Sequence, residues 1–180
     1  MSKPASELSH VDEAGHARMV DVSAKDVTAR TAVASGRMRT TGEVVNLISS
    51  GGLPKGDALA TARIAGVMGA KKTSELIPLC HQIALTKVDV TFELETDAVR
   101  IEGMARTSDR TGVEMEALTA VTVAGLALHD MIKAVDPAAT LDEVRLEAKD
   151  GGKTGTWRRP AESGDVEAAV SGSDDAGGDR

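Results

Sequence analysis

The chain has 180 residues, which suits one domain of ordinary size, and aromatic side chains make up only 1% of it. The core must therefore come from Val, Leu, Ile, Met and Ala, which bury less area per side chain, so burial between subunits is a natural supplement. The net charge is −7, but residues 160–180 contain six acids and one base, which leaves −2 on the rest. This near balance argues against a general nucleic-acid-binding surface, although it is compatible with a local basic pocket.

Cysteine content and hydropathy bear on the cellular compartment. Cys80 is the only cysteine, which excludes an internal disulfide and a cysteine-rich zinc site and fits a reducing environment. The N-terminal stretch has no apolar run of signal-peptide length, and no segment approaches the apolar length of a membrane helix. We therefore expect a cytoplasmic protein with no membrane partner.

Periodicity and turn residues divide the chain into strands, helices and polar ends. Residues 1–17 are polar and are predicted to be a flexible arm, and residues 18–159 to be one domain. Residues 160–180, rich in Gly, Ser, Ala and Asp, are predicted to be a disordered acidic tail. The predicted strands are residues 19–23, 27–39, 85–94, 99–106 and 141–149, and the predicted helices are residues 40–50, 58–72 and 111–133.

The order of these elements predicts the fold class. Strand, helices, strand, strand, helix, strand is the β-α-β-β-α-β order of ferredoxin-like folds. We therefore predict an α+β fold in which helices pack on one face of an antiparallel sheet. Gly66 and Gly69 lie inside a predicted helix, where glycine is costly, and indicate that another backbone packs closely there.

Two stretches near the second predicted helix could bind an anion. Lys55 lies just before a helix N-terminus, where it could bind phosphate together with free N–H groups or donate a proton; an ordinary solvated lysine is the alternative. In residues 76–82, Pro78 would stiffen a loop whose N–H groups and His81 meet an anion. The alternative is a small buried Cys80 beside a histidine at a helix edge. Adjacent Cys80 and His81 lack metal-ligand spacing, and neighbours in an extended segment point to opposite sides.

The helix predicted over residues 111–133 carries ionisable residues at both ends. Glu114 and Glu116 in the first turn would stabilise the helix dipole. This accounts for either acid but not for both, because positions two apart face different directions. Asp130 and Lys133 are spaced as an ordinary surface pair, worth about 0.2–0.5 kcal/mol.

Glu116 and Asp130 share a face of this helix but cannot touch within it. The steps between them leave the two residues about 40° apart around the axis and about 21 Å apart along it. If both ends serve one pocket, a second helix must run antiparallel alongside the first. The simplest source of that helix is a second subunit.

Residues 150–155 form a glycine-rich loop after the last predicted strand. The loop is not a P-loop, because that motif needs glycine where this chain has Glu147, and a flexible turn is the alternative to phosphate binding. With Lys153, the candidate residues comprise lysines, a histidine and carboxylates at helix ends and loops. Such a set suits an anionic substrate whose conversion needs several proton transfers.

Six motifs, in their order and spacing, resemble those of the MoaC family of cyclic pyranopterin monophosphate synthases. They are MVDVS, KGDALATARIAGV, ELIPLCH, TGVEMEALTAV, DMIKAV and KDGGKTG, within roughly residues 8–157. The resemblance implies a lyase of molybdenum cofactor biosynthesis that converts 3′,8-cyclo-7,8-dihydroguanosine 5′-triphosphate to cyclic pyranopterin monophosphate and pyrophosphate. It also implies a homohexamer, a trimer of dimers with active sites at the dimer interface. No cofactor is expected to be required, although Mg²⁺ could accompany the triphosphate.

Carried over motif by motif, the resemblance also implies the site residues. The catalytic residues would be Lys55, Asp130 and Lys133, with the two lysines exchanging protons and Asp130 orienting Lys133 or a substrate hydroxyl. His81 and Lys153 would neutralise the charge of the triphosphate. No metal ligands are implied. The implied substrate contacts are Leu79, Cys80, His81, Glu114, Met115, Glu116 and Lys153.

One departure and two alternatives accompany this interpretation. The family usually has proline where this chain has Gln82, and we expect activity to survive because no ionisable group is lost. A non-catalytic ferredoxin-like nucleotide-binding regulatory module is the first alternative; it would need a pocket but not the lysine–carboxylate combination. An RNA-binding module is the second alternative. It would need aromatic side chains on its sheet for stacking with bases, and Phe92 is the only candidate.

Overall fold

A computed structural model describes residues 16–153 and 155–160 of the chain. Most of the predicted N-terminal arm and all but the first residue of the predicted acidic tail lie outside the described residues. The elements are β1 (Thr28–Arg39), α1 (Gly42–Ser50), α2 (Ala58–Lys71), α3 (Thr73–Leu76), β2 (Leu85–Leu94), β3 (Ala98–Asp109), α4 (Glu114–Ile132), β4 (Thr140–Asp150) and β5 (Trp157–Arg158).

The sheet has five strands in the order β2-β3-β1-β4-β5, and all neighbouring strands are antiparallel. Helices α2 and α4 pack against each other and against the sheet, α2 over β2 and α4 over β1, β3 and β4. The first four strands thus have the order of a ferredoxin-like fold, and the predicted α+β class is confirmed. The two-residue strand β5 is an addition that periodicity did not predict.

Local capping explains where the first two helices begin. The Thr41 side chain accepts a hydrogen bond from the Val44 N–H at 3.3 Å and caps α1, which ends at Gly51 in the left-handed conformation. The predicted cap of α2 is confirmed, because Asp57 Oδ1 accepts from the Ala60 N–H at 2.9 Å. Short polar caps therefore fix both helix starts from the sequence itself.

Small residues let α2 and α4 approach closely. A Cβ on Gly66 would lie 2.8 Å from the carbonyl oxygen of Ala120, so only glycine fits there, as predicted. At Gly69 the close neighbour is the Val123 side chain rather than a backbone. The fully buried residues of α4 on its core-facing side are Ala117, Ala120, Val121, Ala124, Leu128 and Ile132.

The strand predicted over residues 19–23 is wrong. This segment is irregular: Asp21 Oδ1 accepts from the Ser23 N–H at 2.9 Å and from its hydroxyl at 2.7 Å, and the Lys25 N–H donates to the Val22 carbonyl at 3.0 Å. An aspartate that bonds the backbone two residues ahead favours a turn over a strand ladder. The apolar–polar alternation of this segment arises instead because Val20 and Val22 face a cavity.

Candidate active site

A cavity of about 910 Å³ lies at the N-terminal end of α4. Four separate stretches of chain meet there: residues 20–31, 79–81, 111–116 and 149–153. The N-cap residue of α4, Val113, has no side chain that caps the helix, and the Glu116 carboxyl is bonded to its own backbone in the first turn. A cavity of this size can hold a nucleotide-sized ligand.

All seven predicted substrate contacts line this cavity. They come from three different parts of the sequence, the LIPLCH stretch, the first turn of α4 and the glycine-rich loop after β4. The structure brings together Leu79, Cys80, His81, Glu114, Met115, Glu116 and Lys153.

Three basic residues of the cavity were missed by the sequence analysis. Lys25, Arg30 and Lys149 line it together with Lys153. Lys25 follows the MVDVS motif by two residues, so an extended motif could have found it. Lys149 ends a predicted strand, but the direction of its side chain depends on the sheet register. Within the part of the chain that the structure describes, Lys25 and Lys153 have no side-chain partner and could receive an anion.

Two of the three basic residues missed by the sequence analysis, Lys149 and Arg30, are hydrogen-bonded to other parts of the protein. Lys149 Nζ donates to Glu114 Oε1 at 3.0 Å. Arg30 donates to the carbonyl oxygens of Asp109 at 2.9 Å and Arg110 at 3.2 Å. Their positions are therefore set before any ligand binds, which lowers the entropic cost of binding.

Glu116 is the most buried acid of the cavity, with only 4% of its surface exposed. Burial, reinforced by the nearby charge of Glu114, raises its pKa to about 7. Burial also raises the pKa of the Cys80 thiol, and the charge of Glu116 adds to that effect. Glu116 can therefore donate a hydrogen bond as an acid or accept one as a carboxylate near neutral pH.

His81 joins the cavity to the irregular segment before β1. Its Nε2 lies 2.9 Å from the Val20 carbonyl oxygen, and Val20 and Val22 face the cavity. A second hydrogen bond fixes the same irregular segment, because Arg110 Nε donates to the Lys25 carbonyl oxygen at 2.9 Å. The alternation over residues 19–23 thus reflects a cavity wall rather than a strand.

The three predicted catalytic residues form a second cluster, at the C-terminal end of α4. Lys55 Nζ donates to Asp130 Oδ2 and to the Asp130 carbonyl oxygen, both at 2.7 Å. Lys133 Nζ lies 2.8 Å from Asp130 Oδ1, so Asp130 bridges the two ammonium groups. Lys133, and then Lys55, lowers the pKa of the Asp130 carboxyl to about 2. Lys55 is therefore bonded rather than freely solvated, and Asp130 is a carboxylate throughout the physiological range.

The two clusters do not meet within one chain. Lys55, Asp130 and Lys133 do not line the cavity around Glu116. As the sequence predicted, they lie near the other end of α4, about 21 Å away along the helix axis.

Two findings on the described residues bear on metal binding and on membranes. They contain no group of three or more His, Cys, Asp or Glu side chains arranged to hold a metal ion. The expectation that no segment approaches the apolar length of a membrane helix is wrong for α4, which alone among their helices is long and apolar enough, but 56% of that apolar window is buried inside the fold. Burial of this kind is ordinary for a core helix.

Comparison with known proteins gives consistent results. The model of the MoaC family matches residues 19–152. Cyclic pyranopterin monophosphate synthase 2 of Mycobacterium tuberculosis is 63% identical over 153 residues, covering 85% of this chain and 92% of its own. Cyclic pyranopterin monophosphate synthase of Streptomyces coelicolor is 60% identical over 156 residues, covering 87% and 92%. The enzyme of that name from a Nocardioides species is 56% identical over 163 residues, covering 89% and 100%. The chain therefore belongs to the MoaC family.

Proposed function

We propose that the chain is a lyase of molybdenum cofactor biosynthesis, acting as a cyclic pyranopterin monophosphate synthase. Its substrate would be 3′,8-cyclo-7,8-dihydroguanosine 5′-triphosphate, and its products cyclic pyranopterin monophosphate and pyrophosphate. The main observation is the assembly of all seven family-implied contacts in one cavity with four basic side chains. The names of the relatives support the same activity. No observation favours a non-catalytic regulatory module.

The cavity supplies charge neutralisation. Lys25 and Lys153, together with Arg30 and His81, would neutralise the triphosphate and the charge that develops on the leaving pyrophosphate. Closure of the cyclic phosphate requires a substrate hydroxyl to attack the α-phosphorus while the bond to the β-phosphate oxygen breaks. Cations held near the β- and γ-phosphates stabilise that transition state.

The cluster around Asp130 supplies proton transfer. Each lysine already donates to a carboxylate that stays ionised, so Asp130 orients both ammonium groups toward a common point. Opening and reclosing of the substrate rings needs protons given and taken at several atoms. Lys55 and Lys133 would exchange those protons, and Asp130 would restore their orientation after each transfer.

A second copy of the chain would bring the two clusters together. An antiparallel α4 from a partner places its Asp130 end beside the Glu116 end of the first copy, and the symmetry of a dimer then creates two such sites. The outer surface of the helices supports this arrangement, because Leu126 and Ile64 are each 62% exposed and Met68 is 55% exposed. We propose the homohexamer, a trimer of dimers with interface active sites, on this basis. We further propose that the enzyme acts in the cytoplasm, requires no cofactor and meets Mg²⁺ only as a companion of the triphosphate.

The decisive experiment measures pyrophosphate release from the cyclised nucleotide by the wild-type chain and by Lys55→Ala. We expect the variant to lose turnover by about 10²- to 10⁴-fold, because a positioned proton-transfer group is removed. Lys71→Ala removes an exposed lysine from the far end of α2 and serves as the matched control. Near-normal turnover by Lys55→Ala would contradict the role of this lysine, and no turnover by the wild-type chain would contradict the function.

A further inference from the structure

The glycine-rich loop that carries Lys153 closes a short β-hairpin between β4 and β5. Trp157 pairs with Lys149, and Arg158 pairs with Ala148. Gly151 and Gly152 have φ of 94° and 73°, so the loop uses conformations that are open mainly to glycine. A loop of this composition loses much conformational entropy when it is ordered, and a strand of two residues contributes few hydrogen bonds to hold it.

Arg159, the residue after β5, makes additional contacts that fix the hairpin to β4. Its N–H donates to the Glu147 carbonyl at 2.8 Å, and its Nε donates to the Leu146 carbonyl at 2.9 Å. The same Nε lies 3.5 Å from Glu147 Oε2, and the guanidinium lies 5.9 Å from the centre of the Trp157 ring. One side chain thus contacts β4 and β5 together.

The acceptor of this contact is itself fixed in the sheet. Glu147 lies at a register shift between β1 and β4. Its Oε1 accepts from the hydroxyl of Ser35, which is 6% exposed, and from Arg145 Nε at 2.8 Å. Arg159 is therefore bound to a residue of β4 that is itself bonded to β1 through Ser35.

We propose that Arg159 is a positioning residue for Lys153, holding the β4–β5 hairpin so that Lys153 stays over the cavity. The proposal rests on the proposed function insofar as Lys153 binds the triphosphate. Arg159 lies outside the residues 19–152 matched by the family model, and its side chain does not line the cavity. Its loss would weaken substrate binding and leave the Lys55, Asp130 and Lys133 cluster intact.

Kinetics of Arg159→Ala, Arg158→Ala and Arg159→Lys test this role. We expect Arg159→Ala to raise KM about three- to tenfold and to lower kcat by a smaller factor, because the displaced Lys153 loses mainly its binding contact with the triphosphate and part of its effect on the leaving pyrophosphate. Arg158→Ala removes the same charge one residue away and should leave both constants unchanged. Arg159→Lys keeps a donor and a charge and should restore part of the loss. An unchanged KM in Arg159→Ala, or a fall in kcat as large as the rise in KM, would overturn the proposal.

Trp157 is the only tryptophan of the chain, so its fluorescence reports on the hairpin directly. We expect acrylamide to quench Trp157 more in Arg159→Ala than in wild type or Arg158→Ala, and inorganic triphosphate to bind Arg159→Ala more weakly, while the melting temperatures of the two variants agree. These measurements need no turnover, so they separate failure of the positioning role from failure of the proposed function. Equal quenching and equal triphosphate affinity in all three proteins would refute the positioning role even if the wild-type enzyme were active.

Discussion

The two ends of α4 shift the pKa of a carboxyl group in opposite directions. Glu116 at the N-terminal end is 4% exposed, and burial raises its pKa to about 7. The Asp130 side chain at the C-terminal end is 56% exposed, and hydrogen bonds from Lys133 and Lys55 lower its pKa to about 2. Burial without a cation favours the neutral acid, whereas paired cations favour the carboxylate. One helix therefore carries an acid that can change charge near neutral pH and another that cannot.

This difference suggests a division of labour between the ends. The buried end is suited to recognising a ligand through shape, hydrogen bonds and fixed cations. The exposed end presents two ammonium groups that Asp130 orients. Oriented ammonium groups suit the proposed proton transfer to a substrate bound in a neighbouring copy.

The largest expected effect comes from substituting residues at the two ends of α4 in different copies of the chain. Lys133→Ala and His81→Ala should each lose most activity, since each removes a group from a different end. Co-expression of the two variants should recover about a quarter of the wild-type activity, because half of randomly formed dimers are mixed and each mixed dimer has one intact site. Pyrophosphate release by the purified mixture measures the recovery.

Two controls accompany this complementation. Lys133→Ala co-expressed with Lys55→Ala should give no recovery, because both defects lie at the same end of α4. Recovery no greater than the sum of the two single variants for the first pair would show that one chain supplies the whole site.

The buried end should show an intermediate effect, visible as pH-dependent stability. The folded state holds the Glu116 proton more tightly than the unfolded chain, whose reference pKa is 4.5. Stability from this group is therefore complete below about pH 4.5 and is lost as the pH rises through about 7. We expect Glu116→Gln to remove this dependence and to be more stable than wild type above pH 7, by about 3 kcal/mol at most.

Urea unfolding between pH 4 and 8 measures this difference. Glu93→Gln is the matched control: it makes the same change at an exposed acid of β2 that does not line the cavity, so it should not gain stability at high pH. A pH profile of Glu116→Gln parallel to that of wild type would show that Glu116 is not the titrating group.

The exposed end should show the smallest effect, a change in one titration. The hydrogen bond from Lys133 is the first cause of the low Asp130 pKa and that from Lys55 the second. We expect the Asp130 pKa, measured by carboxyl-carbon NMR, to rise toward 3.8 more in Lys133→Ala than in Lys55→Ala. A larger rise in Lys55→Ala would reverse the ranking of the two lysines.

Much of the fold could be predicted because its causes are local. Alternation placed β1 to β4 within a few residues of their bounds, and Asp57 marked the start of α2. The prediction failed at residues 19–23, where alternation reports which side chains face a cavity. It also missed β5, because two residues are too few for any periodicity.

The candidate site was predictable only in part, for a related reason. Motifs named residues that belong to one function, but they gave no distances between them. Lys149 was missed because the register shifts between β1 and β4 set the direction of its side chain. Arg30 was missed because its bonds go to the carbonyl oxygens of Asp109 and Arg110, far away in sequence.

The sequence by itself determined the elements, their order and the family, because caps, periodicities and motifs act over a few neighbouring residues. Only the tertiary structure decided which groups meet. Lys55 reaches Asp130 across 75 positions because α2 packs antiparallel on α4, and the seven predicted contacts converge because residues 79–81 and the loop after β4 both lie beside the start of α4. Such meetings depend on long-range packing of Gly66 against Ala120, which no short stretch of sequence encodes alone.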